Sequence, residues 1–299
     1  MPAEIRTVAI MAPGDMGHGV GALLRHGGLR VITCLEGRSA RTRALAEAAG
    51  IEAVPDDARL VREADALLSI LVPSRAVELA ERMAGALQET GSDLLYVDCN
   101  AVAPQTARQI AEVVEAAGAR FVDAGIIGPP PTPGASGTRF YASGADVGTF
   151  VQLRDYGLNV RPVGDEPGQA SAVKMCYAAL TKGTCALMAE LSVAAERLGA
   201  SAALREEFAF SQPHHLEWMR QWVVNMVPKA HRWVGEMEEI AKTFEAQGLT
   251  PRTFEGVAEM YRYVAATPLA RTSPEDWSRS DRSYEDIVAA LAGPQPRAD

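Results

Sequence analysis

Short apolar, β-branched runs alternate with stretches of helical periodicity through the first 164 positions. The runs at 7–12 (TVAIMA), 30–35 (RVITCL), 66–72 (ALLSILV), 94–99 (LLYVDC), 120–124 (RFVDA), 138–143 (TRFYAS) and 159–164 (NVRPVG) predict strands. Between the earlier runs, residues 16–27, 40–50, 76–90 and 104–118 carry apolar positions at helical spacing, and Pro104 suits the first turn of the last of these. Alternation of this kind predicts a parallel sheet covered by helices on both faces. After residue 164 the strand signals stop. A long helix is expected from Gly168 to about Leu198, closed by Gly199, with further helices at 202–210, 213–227, 229–247, 251–266 and 283–292. The Pro- and Gly-containing segment 163–169 (VGDEPGQ) separates the two regimes. The expected architecture is thus α/β followed by all-α: residues 1–164 form a doubly wound domain, residues 165–299 a helical one, and a long interdomain helix joins them.

Composition narrows the class without altering this layout. The chain has 299 residues, 47% hydrophobic and 22% charged, with a net charge of −9. Its mean hydropathy is close to zero and its isoelectric point is near 5.2. An acidic chain lacks the basic surface that nucleic acids or anionic membranes require, so neither is expected as a partner. The segment 170–195 is interrupted by Lys174, Lys182 and Glu190 and reads as a buried helix rather than a membrane span. The N-terminus lacks the layout of a signal peptide, which predicts a cytoplasmic protein. Cys34, Cys99, Cys176 and Cys185 are scattered and read as buried reduced thiols, and His214-His215 lacks the partners of a metal site, so no metal is expected. Only the tail 293–299 (GPQPRAD) has the composition of a disordered segment.

Chemistry enters at MAPGDMG, residues 11–17, between a predicted strand and a predicted helix. A glycine turn at such a junction lets backbone N–H groups meet a pyrophosphate at the helix N-terminus; read by its own letters, it is equally an ordinary turn. Gly14 permits close approach and Gly17 close helix–strand packing, while Ala12 stands where a first glycine is usual and must hold φ below zero or accept strain. Beyond the second strand, Arg38, Ser39, Arg41 and Arg43 offer donors for a 2′-phosphate, favouring NADP(H). Glu36, shifted by one position, would instead bind ribose hydroxyls, so NAD(H) stays open, as does a plain solvated helix start.

Read together, the motifs resemble those of the β-hydroxyacid dehydrogenase family, related to 6-phosphogluconate dehydrogenase and the imine reductases. APGDMGHGV (12–20) resembles the opening GxGxMGxxM of its Rossmann-like domain, ILVPS (70–74) the strand end lining the nicotinamide, and VDCNAVAP (97–104) the DxSTxxP segment. FVDAGIIGPPP (121–131) resembles the substrate-loop motif DAPVSGG, and GQASAVKMCYA (168–178) resembles GxGxxxKxxNN. The resemblance implies a cofactor site at Ala12, Pro13, Gly14, Asp15, Met16, Gly17, Arg38, Ser39, Arg41, Val72, Pro73 and Asn100. It implies Lys174 as the general acid–base in a hydroxy acid/oxo acid interconversion with hydride transfer. Substrate contacts would fall at Ile127, Gly128, Pro129, Tyr177 and Arg232, the last because Gly235-Glu236-Met237 replaces a family KDL segment and leaves Arg232, His231 or Lys229 to supply positive charge. Ile127 takes the place of a serine, and Tyr177-Ala178 that of paired asparagines, which points to a bulkier or partly apolar substrate. Imine reduction and non-catalytic NADP binding are the alternatives, and a homodimer through the helical domain is also implied.

Overall fold

The structure is a computed structural model and describes residues 4–134 and 137–293, apart from the side chains of residues 274 and 275. The rest of the tail anticipated as disordered, residues 294–299, lies outside the described residues. The chain packs as two units, Met1–Met175 and Cys176–Asp299.

In the first unit the strands are β1 (Thr7–Met11), β2 (Arg30–Cys34), β3 (Glu52–Val54), β4 (Ala66–Ser69), β5 (Leu95–Asp98), β6 (Arg120–Ile127), β7 (Arg139–Ser143) and β8 (Val160–Gly164). Helices α1 (Asp15–His26), α2 (Ala40–Ala48), α3 (Asp57–Glu63), α4 (Ala76–Thr90), α5 (Pro104–Ala116) and α6 (Val147–Val151) connect them, and α7 (Gln169–Arg197) follows β8. One sheet results, in the order β3-β2-β1-β4-β5-β6-β7-β8. Strand order reverses between β1 and β4, the position at which open α/β sheets hold nucleotide cofactors beyond the strand ends.

Both faces of the sheet are dry at its central strands because their apolar runs are continuous. Val8 and Ile10 join the core formed with Val20, Leu23 and Leu24 of α1, and with Phe150 of α6. Their neighbours Ala9 and Met11 join Leu60, Leu79, Met83 and Ile110 of α3, α4 and α5 on the other face. Every residue of β1 is buried, as a strand covered on both sides requires.

The structure corrects several sequence-based expectations. The sheet is not wholly parallel, since β6 and β7 pair antiparallel, with Ile127 opposite Arg139. Strand β6 continues to Ile127, so Gly125–Ile127 are ladder residues rather than loop. The short β3, with only Val54 buried, and the helices α3 and α6 carried too little periodicity to be anticipated. Cys176 is exposed, whereas Cys34, Cys99 and Cys185 are buried as expected and all four are unbridged.

The second unit holds the rest of α7 with α8 (Ser201–Ser211), α9 (Pro213–Met226), α10 (Ala230–Glu245), α11 (Arg252–Ala265), α12 (Pro274–Ser278) and α13 (Tyr284–Ala292). Helices α10 and α11 meet through aromatic pairs, Trp233 with Tyr261 edge-to-face at 5.3 Å and Phe244 with Phe254 at 4.8 Å. A capping box of Ser283 and Asp286 starts α13, while the short α12, begun by the Ser273 cap, was not anticipated. Among the described residues, no helix is long and apolar enough to cross a membrane, and no cluster of His, Cys, Asp or Glu could hold a metal ion.

Candidate functional site

The adjacent strands β1, β4, β5 and β6 bring their carboxyl ends, and the turns that follow them, to one edge of the sheet. The turn after β1 begins with Ala12 at φ +60°, the one non-glycine residue with positive φ among those described. Strain is thus the resolution here: an L-residue in this conformation costs roughly 1–2 kcal/mol. Glycine avoids that cost, so Ala12→Gly is expected to raise stability by about 1 kcal/mol and Tm by about 2–4 °C, with an unchanged or lower Tm contradicting the strain.

Helix α1 starts at Gly14, whose N–H donates to the Ala12 carbonyl at 2.7 Å, and no side chain caps its N-terminus. A Cβ at Gly17 would lie 2.6 Å from the Ala12 oxygen, so only glycine fits there, while at Gly14 the nearest atom would be 4.0 Å away. An uncapped helix start with open space beside it suits a pyrophosphate. Pro13 is buried, and Asp15 reaches Arg41 at 2.6 Å. Two further glycines of α1 escaped sequence reasoning: Gly19 packs against Pro130 and Pro131 of the proline-rich loop, and Gly21 against Ile51. Their spacing in GHGVG was the available signal.

After β2, Ser39 caps α2 by accepting from Thr42 N at 3.2 Å. Arg43 braces the turn, donating to the carbonyls of Leu35 at 2.6 Å and Arg38 at 3.2 Å. Glu36 is exposed and Gly37 adopts φ +67°. Arg38 is half-buried, and burial, followed by the nearby cations Arg82 and Arg75, pushes its guanidinium pKa down. A crowded cationic corner of this kind favours an anion.

The strand ends of β4 and β5 are tied by Asn100, which is buried at 2% exposure. Its amide nitrogen donates to Ser69 Oγ at 2.8 Å and to Asp98 Oδ1, and its oxygen accepts from Leu71 N. Asn100 therefore holds the chain leading to Val72, which is exposed, and Pro73, which opens a single turn of 3-10 helix before α4.

A polar row crosses the sheet at this level: Ser69, Asp98, Asp123 and Ser143 are paired neighbours, and all four are fully buried. Burial first, then the adjacent Asp123 carboxylate, pushes the Asp98 pKa up to about 7. Its Oδ2 has no hydrogen-bond partner, which also favours the protonated acid. Because the folded state retains a proton that the unfolded chain releases near pH 4, stability falls as pH rises from about 4 to about 7, by up to about 4 kcal/mol. Asp98→Asn is expected to flatten that dependence in urea titrations; a wild-type slope across this range would contradict it.

On β6, the Asp123 carboxylate reaches the start of α7. Oδ2 accepts from Gly168 N and Ser171 N, both at 2.9 Å, and Oδ1 accepts from Ser171 Oγ at 2.6 Å. Ser143 Oγ accepts from Ala170 N at 3.0 Å. One turn farther along α7, Lys174 Nζ donates to the Ile126 carbonyl at 2.7 Å. A Cβ on Gly125 would lie 2.8 Å from Lys174 Cβ, so glycine lets the helix approach the strand. Lys174 is the sole lysine among the first 175 residues. Ile127 is buried at 3% exposure, Gly128 and Pro129 are exposed, and the Pro129 carbonyl accepts from Thr138 Oγ1.

In the second unit, Tyr177 is 45% exposed, so it is not a core tyrosine, and Arg232 is exposed on α10. Sequence reasoning missed the ion pair of Lys182 with Glu236, where the Lys182 ammonium also lies 4.8 Å from the Trp233 ring centre. Glu236, standing at the KDL position, was the available signal.

Residues 7–148 match the family described as the NAD binding domain of 6-phosphogluconate dehydrogenase, and residues 195–264 match a domain of unknown function, DUF1932. An uncharacterized 28.5 kDa protein of Methanothermus fervidus is 25% identical over 237 residues, 79% of this chain and 90% of that one. The NADH-dependent oxidoreductase ucdB of Aspergillus ustus is 29% identical over 160 residues, 50% of this chain and 55% of that one. The solved structure of the conserved protein MTH1747, of unknown function and described as similar to 3-hydroxyacid dehydrogenases, superposes with a TM-score of 0.64 at 29% identity, covering 87% of this chain and 96% of that one. Residues 7–148 are thus a 6-phosphogluconate dehydrogenase-like NAD-binding domain, carried by a divergent chain with structural similarity to the 3-hydroxyacid dehydrogenases.

Proposed function

We propose that the protein is an NADP-dependent oxidoreductase that interconverts a hydroxy acid and its oxo acid, with Lys174 as general acid–base. The observation that carries this reading is the Lys174 amine, held 2.7 Å from the Ile126 carbonyl at the end of β6, where open α/β sheets act on their ligands. The residues around α1 fit a dinucleotide: the uncapped N-terminus and Gly14 suit its pyrophosphate, while Arg38, Ser39 and Arg41 suit a 2′-phosphate. Val72 and Pro73, positioned by Asn100, would line the nicotinamide, which when bound supplies the hydride acceptor or donor.

The chain's own part is proton transfer and orientation. A neutral Lys174 amine accepts the hydroxyl proton as the carbon is oxidised, and the ammonium returns it in reduction. The Ile126 carbonyl holds the amine when no substrate oxygen is there to take its hydrogen bond. Gly128 and Pro129, exposed after β6, would meet the substrate, with Ile127 behind them. Steady-state assays of 2- and 3-hydroxy acids with NADP+, and of the oxo acids with NADPH, test the reading. Turnover of one pair in both directions is expected; none in either direction would reduce the protein to a cofactor binder.

The same reading includes a homodimer through the helical unit. Leu180 and Leu187 of α7, seven residues apart, and Leu198 just beyond its end stand exposed, and α8 buries none of its residues. Light scattering is expected to give twice the chain mass, and a monomer at micromolar concentration would contradict it.

A further inference from the structure

Helix α7 begins at Gln169 and is preceded by Gly168, a residue with no side chain to satisfy the first N–H groups of the helix, and the sheet supplies acceptors instead. Asp123 accepts from Gly168 N and Ser171 N at 2.9 Å and from Ser171 Oγ at 2.6 Å, and Ser143, its partner in the β6–β7 ladder, accepts from Ala170 N at 3.0 Å. Three residues beyond Asp123 on the same strand, the Ile126 carbonyl takes the Lys174 ammonium, and between them Gly125 admits the Lys174 Cβ. One strand therefore fixes the helix start, the distance of the helix from the sheet and the end of the lysine side chain.

We infer that Asp123 is the positioning residue for Lys174: its buried carboxylate sets where α7 starts, and hence where the amine one turn later stands relative to the end of β6. This rests on the reading of Lys174 as the acid–base. Asp123 touches no substrate in this account and acts through the helix. An Asn at 123 keeps the size but removes the negative charge that strengthens all three bonds, and its amide nitrogen forces Ser171 Oγ to turn from donor to acceptor. The anchor at the helix start then weakens, and Lys174 leaves the Ile126 carbonyl.

The test is the reactivity of the lysine itself, which needs no substrate. The chain has four lysines, at 174, 182, 229 and 242, so acetic anhydride labelling followed by peptide mass spectrometry resolves each across a pH series. In Asp123→Asn the labelling rate of Lys174 is expected to rise about tenfold and its pH midpoint to move, as follows from the loss of a charge-assisted hydrogen-bond set. Lys242, with a 57% exposed side chain, should not change. An unchanged Lys174 rate and midpoint in folded Asp123→Asn overturns the inference, and so does a parallel change at Lys242, which marks general loosening. If Asp123→Asn does not fold, Ser171→Ala decides on the same readout, with about a threefold rise expected because only the hydroxyl bond is lost; no rise overturns the inference. Turnover of Lys174→Met separates this result from the reading beneath it. Lost turnover with unchanged labelling overturns the role of Asp123 alone, whereas full turnover overturns the reading of Lys174 as acid–base.

Discussion

Lys174→Met is expected to lower kcat for hydroxy acid oxidation by about 10²–10⁴-fold while NADPH affinity stays within about threefold, the range over which a positioned acid–base acts. Methionine preserves the length and apolar stem of the side chain, so Gly125 still admits the Cβ and the helix keeps its anchors at Asp123 and Ser143. What disappears is the proton acceptor and the bond to the Ile126 carbonyl. Loss of that bond leaves a backbone oxygen short of a partner at a partly open strand end, a cost of about 1 kcal/mol. Steady-state kinetics with a parallel fluorescence titration of NADPH separates the two effects. Lost cofactor binding would make Lys174 a structural residue, and near-normal kcat would remove it from the chemistry.

Arg38→Ala is expected to weaken NADPH binding by about 10- to 100-fold and NADH binding by less than about threefold, as the loss of a charge-assisted bond to a 2′-phosphate predicts. The choice of Arg38 over its neighbours comes from the geometry. Arg41 is engaged with Asp15, and Arg43 is folded onto the backbone of the turn. Arg38 instead sits half-buried near two other guanidiniums, a position that an anion would relieve. Arg82 is balanced by Asp57 at 2.8 Å and Arg75 by Glu78 at 2.8 Å, which leaves the Arg38 charge as the one an anion would meet. The opposing reading gives the adenosine ribose to the exposed Glu36. Titrations of both cofactors against wild type and Arg38→Ala at one ionic strength decide: equal losses for NADH and NADPH, or none for either, contradict 2′-phosphate recognition by Arg38.

Much of this was legible in the chain because each fully buried parallel strand is a continuous apolar run. β1, β2, β4 and β5 stand where the runs at 7–12, 30–35, 66–72 and 94–99 predict them, and the helices of the second unit other than α12 lie within a few residues of their expected limits. What escaped has physical causes. The edge strand β3 buries only Val54 and so shows no pattern. The antiparallel pairing of β6 with β7 and the packing of Pro130 and Pro131 against Gly19 are tertiary contacts absent from local letters. Around the candidate site, motif order singled out Lys174 and the α1 turn. Asp123 and Gly125 fall in the segment resembling DAPVSGG, but their role as anchors with Ser143 was not legible, since it appears only when β6, β7 and α7 are in contact. Ala12 was identified as the anomaly in the turn, and its φ of +60° shows that the backbone kept the conformation a glycine would take.

The most direct measurement of the central claim is turnover by wild type and Lys174→Met side by side, on hydroxy acids with NADP+ and on cyclic imines with NADPH, after both proteins have been shown to bind NADPH. The account predicts that wild type oxidises at least one hydroxy acid, that Lys174→Met loses at least about 100-fold of that rate, and that imines are poor substrates for both. Wild-type rates in Lys174→Met, or turnover confined to imines, would contradict it.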